Sequence, residues 1–257
     1  MNTIKRGSNE PDVILLQSYL NLKTDGDFGP KTEAALKEFQ EKNDLVSDGI
    51  CGPKSWKELQ GRFDKSGITE DDYESAANIL KVPIATVKAV SFVEASGKGF
   101  ENTRRPRCLF EGHIFWSRLK KCSINPELFL GDHTGIIYPK WDKSKYLGGE
   151  KEWNRLEEAW EIKDKAALES ASYGLFQIMG FNYAACGCSD VFEFTSKMFL
   201  SEGEQLKLFC KFCQSMGLEK YLRNQDWASF ARRYNGPEYA KNKYDTKLAS
   251  AFKKYNK

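Results

Sequence analysis

A glutamate in the first half of the chain lies where its side chain could act as an acid. Glu94 ends a helix predicted over residues 83–94, which begins with Pro83, a residue whose missing N–H costs nothing at a helix start. Val87, Val90 and Glu94 fall at positions i, i+3 and i+7 and therefore share one stripe of the helix surface. The spacing predicts that Glu94 lies on a largely apolar face, near the C-terminal end of its helix.

This position has a consequence for the protonation of Glu94. Burial disfavours the ionised carboxylate, and the negative end of the helix dipole has the same effect. Both raise the pKa towards neutral, the range that a general acid needs near pH 7. Cleavage of a glycosidic bond requires such an acid, because an unprotonated sugar alkoxide is a poor leaving group. The spacing alone also allows a glutamate that ends the helix and points into water.

Two further segments carry polar side chains among apolar ones. The sequence SYGLFQIM over residues 172–179 is interpreted as a turn that enters an apolar helix. In this turn Gly174 lets the backbone approach a ligand, and Gln177 offers both a donor and an acceptor. Gln177 could instead belong to a helix start that packs on the core. Glu111, in the stretch LFEGH, is a second carboxylate flanked by apolar residues.

Residues 1–63 contain a short repeat, in which DGDFGPKT at 25–32 is echoed by DGICGPKS at 48–55. In each copy Asp-Gly suits a tight turn, because glycine adopts a positive φ without steric cost. Thr32 or Ser55 is then placed to cap a following helix, in which apolar residues recur at helical spacing. Together with an apolar stretch before the first copy, the repeat predicts a three-helix module with two equivalent turns.

The remainder of the chain, residues 70–257, is predicted to form a larger, mainly helical domain, joined to the module by a polar linker over residues 64–69. Thr69 and Asp72 resemble a capping arrangement at the start of its first helix. Strand signals are few, with at most a small β-hairpin between residues 98 and 110. The predicted fold class is thus mainly α. Helices are predicted over residues 70–80, 83–94, 112–121, 152–169, 174–185, 202–215 and 226–234.

Composition limits the classes of protein to which the chain can belong. Hydrophobic residues make up 40% and aromatic residues 13% of the 257 residues, enough apolar surface for a packed core. The net charge of +3 argues against a nucleic-acid binder that neutralises many phosphates. No run of about 18 apolar residues occurs, so no stable membrane association is expected. The first residues lack the apolar core of a signal peptide and the seven cysteines are an odd number, so we expect a protein made in a reducing cytoplasm. We also expect a monomer.

Two cysteine pairs, Cys186-x-Cys188 and Cys210-x-x-Cys213, could supply four thiolates to a structural zinc ion. The second pair, however, lies in a predicted amphipathic helix with Phe209 on the same face, where free cysteines behave as small apolar residues. The two histidines of the chain are too few for the usual histidine-rich site of a zinc amidase. No metal and no cofactor are therefore expected.

Over residues 5–60 the sequence resembles the small peptidoglycan-binding domain of many cell-wall hydrolases. Two spaced Asp-Gly-x-x-Gly turns, with Phe39-Gln40 between them, carry the resemblance. It implies that the module holds wall polymer near a catalytic partner, although the turn residues could simply build the helical bundle. The wall-binding residues that the resemblance implies are Asp25, Gly26, Phe28, Asp48 and Gly49.

Four motifs, FVEASGKGF, RRPRCLFEGHIFW, ASYGLFQIMGFNY and FARRYNGPEY, make residues 70–257 similar to the muramidase domain of a group of bacteriophage endolysins. Such domains belong to the lysozyme-like superfamily. The resemblance implies a lysozyme-like fold in which Glu94, the acidic residue of a V-E-x-S-G motif, is the catalytic acid. Glu111 lies in the F-E-x-H motif of the family. It would orient or activate water, hold the hydrogen bonds of the acid, or brace the fold.

The resemblance also implies which residues bind substrate. The segment around Gln177 lines the cleft where sugar binds in the superfamily, and Tyr234-Asn235-Gly236 resembles the Y-N-x-G element that closes such sites. Arg105 and Arg107 are either further contacts or solvated loop charges. The substrate-binding residues implied in this way are Ser172, Tyr173, Gly174, Gln177, Tyr234 and Asn235.

A modular endolysin of this kind would bind bacterial peptidoglycan and hydrolyse the β-1,4 bond between N-acetylmuramic acid and N-acetylglucosamine. It would act on the wall from the host cytoplasm, after the membrane has been permeabilised. Two alternatives stay open. One is a lytic transglycosylase, which uses one glutamate and closes an anhydro ring. The other is a wall-binding structural protein of a phage tail, without catalysis.

Overall fold

The computed structural model describes residues 1–62, 67–95 and 97–257 and confirms the mainly α fold class. Of the predicted linker, residues 64–66 lie outside the described residues. The α-helices are α1 (Pro11–Tyr19), α2 (Pro30–Glu41), α3 (Pro53–Gly61), α4 (Glu70–Leu80), α5 (Ile84–Glu94), α6 (Gly112–Lys121), α7 (Lys151–Glu169), α8 (Val191–Leu200), α9 (Glu202–Ser215), α10 (Glu219–Arg223), α11 (Trp227–Asn235) and α12 (Tyr244–Tyr255). Short 3-10 helices span Pro126–Phe129, Lys143–Lys145, Gly180–Asn182 and Pro237–Ala240.

One small antiparallel sheet lies among these helices, with strands in the order β1 (Cys108–Phe110), β2 (Ala171–Tyr173) and β3 (Ile178–Met179). Cys108 pairs with Tyr173 and Phe110 with Ala171, so the sheet joins two segments distant in sequence. Among the described residues no single helix is long and apolar enough to cross a membrane, whereas α4 and α5 pass such a test only together, with a bend of 107° between them.

The helix predicted over residues 174–185 is wrong. Gly174 and Gln177 have φ angles of 73° and 46°, which no α-helix accommodates, and they form the turn of a hairpin between β2 and β3. The apolar run that resembled a buried helix is instead divided between this turn, β3 and the following 3-10 helix. The hairpin predicted between residues 98 and 110 is present in a minimal form, with backbone hydrogen bonds from Glu101 N to the Arg105 carbonyl (2.8 Å) and from Arg107 N to the Gly99 carbonyl (2.9 Å). That segment contains a single bridge between Phe100 and Pro106, and β1 pairs with the distant β2.

The repeat in the N-terminal module is a structural duplication, centred on two glutamines 23 positions apart. The side-chain amide of Gln17 donates to Oδ1 of Asp25 (2.7 Å) and to the hydroxyl of Thr32 (3.3 Å). The amide of Gln40 makes the corresponding bonds to Asp48 (3.0 Å) and Ser55 (3.1 Å). Neither hydroxyl caps its helix as predicted. Each helix begins one turn earlier, at a proline, so the hydroxyl is left to accept the glutamine amide instead.

A buried ion pair joins the module to the larger segment. The Arg105 guanidinium lies 2.9 Å from Oδ2 of Asp12 in α1 and 2.7 Å from Oε1 of Glu157 in α7. Arg105 is 8% exposed and Asp12 is fully buried. Both interpretations offered for Arg105, a solvated loop charge and a substrate contact, are therefore wrong. Beside this pair, Trp160 Nε1 donates to Oδ1 of Asn9 (2.6 Å). The division into two domains stays a prediction, because one buried core runs through both segments.

We predict that Arg105→Met lowers the free energy of unfolding by about 3 kcal/mol, because it leaves the fully buried Asp12 carboxylate without its partner. Urea unfolding followed by circular dichroism measures the change. The control is Arg6→Met, which removes an exposed ion pair to Glu33 and should cost less than about 1 kcal/mol. Equal effects of the two substitutions would contradict the structural role of this joint.

Candidate active site

A cleft of about 610 Å³ opens at the C-terminal end of α5. Its walls are formed by the hairpin turn after β2, the end of α9, the end of α11 and the start of α12. The cleft brings together residues that the sequence places far apart. The predicted site residues that line it are Glu94, Gln177, Tyr234 and Asn235, together with Arg107.

Glu94 is the last residue of α5 and is half-buried at the cleft. Val87 and Val90 are each 2% exposed, so the apolar stripe predicted on this helix exists. Burial raises the pKa of Glu94 to about 7, against the opposing effects of a hydrogen bond from Asn235 and the charge of Lys247. The raised pKa keeps the protonated form available near neutral pH, as a general acid requires.

Asn235 fixes one oxygen of this carboxyl group. Its Nδ2 donates to Oε1 of Glu94 over 2.9 Å, from the end of α11. Because Oε1 accepts this N–H, the proton of the neutral acid belongs on Oε2. The preceding residue, Tyr234, lines the cleft while its hydroxyl donates to the carbonyl of Phe176 (3.0 Å) in the hairpin turn. The end of α11 thus makes hydrogen bonds both to Glu94 and to the hairpin turn, which forms another wall of the cleft.

The hairpin residues hold one another. Ser172 Oγ donates to Oε1 of Gln177 (3.0 Å), and Nε2 of Gln177 donates to the carbonyl of Gly174 (2.9 Å). Tyr173 is fully buried, and its hydroxyl donates to the carbonyl of Leu168 (3.0 Å). Of these residues, Gln177 lines the cleft. Ser172, Tyr173 and Gly174 would therefore affect substrate binding only by shaping the turn that carries Gln177.

A residue that the sequence did not reveal connects the two loops of the site. Gln205 in α9 is 1% exposed; its Oε1 accepts from Leu175 N (2.8 Å) in the hairpin turn. Its Nε2 donates to the carbonyls of Met198 (2.9 Å) and of Gly99 (3.4 Å), in the loop that follows Glu94. The available signal in the sequence was a polar residue at a core position of an amphipathic helix. That signal does not identify the partners of Gln205, because they are distant in sequence.

Glu111 lies outside this cleft as far as the described residues define it. Glu111 follows β1 and Arg107 precedes it, so the Cα atoms of these two residues are separated by four steps of extended chain, about 13 Å. Its Oε2 accepts the hydroxyl of Tyr146 (2.7 Å) and lies 3.2 Å from Nδ1 of His113. This cluster favours the interpretation that Glu111 braces the fold or holds a hydrogen-bond network, and a role in activating water stays a prediction.

The predicted wall-binding residues lie in the two turns of the duplicated module. The carboxylates of Asp25 and Asp48 accept hydrogen bonds from the central glutamines and from backbone N–H groups of their own turns. Phe28 is 1% exposed, and a Cβ at Gly26 would lie 2.7 Å from the Trp160 ring. A Cβ at Gly49 would meet the Lys37 side chain. These contacts show that the residues shape the turns. Their part in binding wall stays a prediction.

The cysteines considered for zinc are buried free thiols. Burial raises the pKa of Cys188 to about 11 and that of Cys186 to about 12, so neither is a ready thiolate. Within the described ranges, no group of three or more histidine, cysteine, aspartate or glutamate side chains is arranged to hold a metal ion.

Comparison with known proteins agrees with this geometry. The family model for N-acetylmuramidase matches residues 83–256, which include every residue of the cleft named above. The chain belongs to the N-acetylmuramidase family. Its members are lysozyme-type glycoside hydrolases. A second family model, described as "Putative peptidoglycan binding domain", matches residues 9–59 and includes both copies of the repeat.

Among solved structures, the crystal structure of the Burkholderia AP3 phage endolysin is similar over 100% of this chain and 98% of its own, with 38% sequence identity and a TM-score of 0.69. A spore cortex-lytic enzyme of Bacillus cereus is 44% identical over 71 residues, which cover 24% of this chain and 27% of the enzyme. An uncharacterized protein of Kitasatospora aureofaciens is 48% identical over 42 residues, 16% of this chain and 36% of that protein. The chain thus spans only about a third of these curated relatives, or less.

We predict that Glu94→Gln increases the free energy of unfolding above pH 7. The pKa of Glu94 rises on folding to about 7, so the stability that its protonated form contributes is lost as the pH rises through that value. Glutamine stays neutral and can still accept the Asn235 hydrogen bond. The variant should gain about 1–3 kcal/mol over the wild type at pH 8, and less at pH 5, by urea unfolding. A difference that does not change with pH would contradict the raised pKa; Glu74→Gln, at an exposed position, controls for the loss of one charge.

Proposed function

We propose that the chain is a peptidoglycan-degrading endolysin that hydrolyses the β-1,4 bond between N-acetylmuramic acid and N-acetylglucosamine, with Glu94 as the general acid. The observation that carries the proposal is a half-buried carboxyl group with a pKa of about 7 at the wall of a large cleft. Membership of the N-acetylmuramidase family supports the substrate class. The Burkholderia phage endolysin, alike over almost its full length, supports a role in lysis.

The residues of the cleft support a simple sequence of events. Oε2 of neutral Glu94 donates its proton to the bridging oxygen, while Asn235 keeps the carboxyl plane fixed through Oε1. The C–O bond breaks with development of positive charge on the sugar ring, and the Glu94 carboxylate that forms at that moment stabilises this charge. Water then attacks the sugar carbon and releases a proton, and Glu94 takes up a proton to return to its neutral form. We assign Glu111 a supporting role, because Tyr146 and His113 hold it at the far end of β1.

One observation favours a second candidate. Among the described residues that line the cleft, Glu94 is the single acidic side chain. A lytic transglycosylase needs one glutamate, because the 6-hydroxyl of the muramic acid, rather than water, closes an anhydro ring. The two reactions cleave the same bond and differ in their products.

Mass spectrometry of digested sacculi separates the two reactions. We expect products with reducing-end muramic acid from the wild type, and anhydromuramic products would establish the transglycosylase instead. Glu94→Gln should lower the rate of turbidity loss by about 10²–10⁴-fold and still sediment with sacculi. Retained lysis by this variant would contradict the role of Glu94, and wild-type protein that binds sacculi without releasing any fragment would favour a structural wall-binding protein.

The pH dependence of cleavage tests the hydrogen bond to Glu94. A general acid must be protonated, so kcat/KM should fall as the pH rises through about 7. The hydrogen bond from Asn235 lowers the pKa of Glu94, and Asn235→Ala should therefore move this alkaline limb to higher pH. Lys247→Gln removes the weaker of the two lowering effects and should move the limb in the same direction by less. An unchanged limb in Asn235→Ala would mean that another group controls it.

A further inference from the structure

The two copies of the N-terminal repeat share one architecture but differ at their surface. Residues 23 positions apart correspond, as Gln17 and Gln40 do through their matching hydrogen bonds. Asn21 and Asp44 also correspond, and each has a φ of 54°. A groove runs beside each turn. The grooves overlap at three corresponding positions, with Asn21, Leu22 and Lys23 in the first and Asp44, Leu45 and Val46 in the second.

The groove of the first copy lies in the joint with the catalytic segment. One of its walls is formed by Asn21, Leu22 and Lys23, and the other by residues at and after the start of α8, including Glu193 and Lys197. The adjacent turn is closed by Trp160, against which Gly26 packs. This copy contributes to holding the two segments together.

The groove of the second copy, by contrast, is lined entirely by residues of the module and has a volume of about 530 Å³. Val46 is 77% exposed and Ile50 39% exposed within it. The corresponding residues of the first copy are Lys23 and Asp27. Val46 and Ile50 are the large exposed hydrophobic residues of residues 1–62, and both are in this one groove.

The groove also carries charge. Asp44 and Asp48 line it together with Lys54. Hydrogen bonds from the backbone N–H of Ile50 and from Gln40 lower the pKa of Asp48, so this carboxylate stays ionised at neutral pH. Two aliphatic side chains flanked by charges of both signs are complementary to a short zwitterionic peptide with methyl-sized side chains. The two aliphatic side chains themselves offer no hydrogen-bond partner to the hydroxyl groups of a sugar.

We propose that the groove of the second copy binds the peptide stem of peptidoglycan, with Val46 and Ile50 against its alanine side chains and Asp44 and Asp48 facing the ammonium group of its diamino acid. This inference rests on the proposed function, since it takes the wall as the polymer that the chain meets. It gives the two copies separate tasks. The first copy joins the module to the catalytic segment. The second copy binds the peptide stem of the substrate, in which the enzyme cleaves no bond.

The test uses the full chain with Glu94→Gln, so that no bond is cleaved during binding. The probe is a synthetic stem tetrapeptide, alanyl-glutamyl-diaminopimelyl-alanine, titrated by calorimetry. The variant V46K/I50D gives the second copy the residues that the first copy carries at the same positions, which the fold already accommodates. We expect it to weaken peptide binding about tenfold or more, with an unchanged melting temperature. Lys23→Ala, in the first copy, should leave binding unchanged.

Three results would overturn the proposal: no binding of the tetrapeptide, equal binding by V46K/I50D, or preferential binding of glycan strands from which the peptides have been removed. Failure of the proposed function is seen separately. V46K/I50D on the wild-type background should still cleave short soluble glycan fragments, because the groove is apart from the Glu94 cleft. If the wild type releases no fragments while peptide binding follows the expected pattern, the proposed reaction fails and the groove assignment stands.

Discussion

The proposed chemistry of this site depends on one carboxyl group that is kept partly out of water. At the end of α5, burial raises the pKa of Glu94 to about 7, and the hydrogen bond from Asn235 and the charge of Lys247 limit the rise. If burial were greater, the group would remain protonated throughout the physiological range and its conjugate base would be poorly stabilised. If the group were free in water, almost none of it would be protonated at pH 7. The helices packed around α5 therefore set the reactivity as well as the fold.

Two helices hold the surroundings of Glu94. Through Tyr234 and Asn235, α11 holds the hairpin turn and the acid. Gln205 of α9 connects the same hairpin to the loop that follows α5. Asn235 bonds to the Glu94 side chain, and the other links join side chains to backbone groups, all in buried or partly buried surroundings where an unpaired group is costly. The two loops that border the cleft are consequently fixed relative to the acid, as expected for a site that must position a glycosidic oxygen within hydrogen-bond distance.

Local patterns in the sequence predicted what depends on local structure. The stripe that ends in Glu94 needs only helical periodicity, and the capping box of Thr69 and Asp72 needs only a spacing of three; the structure contains both. The duplicated module was equally visible in its repeated turns. The helix predicted over residues 174–185 failed because burial of an apolar run does not distinguish a helix from a hairpin. The positive φ of Gln177 is stabilised by bonds to Ser172 and Gly174 that no periodicity reveals.

Other features were beyond prediction because their partners are far away in the chain. Arg105 had the appearance of a loop charge, and only folding brings Asp12 to it from 93 positions away. Gln205 meets Gly99 from 106 positions away. The motif places Glu111 among apolar residues, but the position of Glu111 relative to Glu94 depends on the length of β1 and on the pairing of that strand, neither of which the motif contains.

The buried contact between Arg105, Asp12 and Glu157 also affects how the molecule would work on an insoluble polymer. A module on a flexible tether would let the catalytic segment search a wide area around each anchoring point. Here the buried pair holds the module against the catalytic segment, so an anchor in the module would lie at a set distance from the cleft. On a wall with regularly spaced attachment points, such a molecule would cleave at a fixed offset from each point that it holds, and it would have to release and rebind in order to advance.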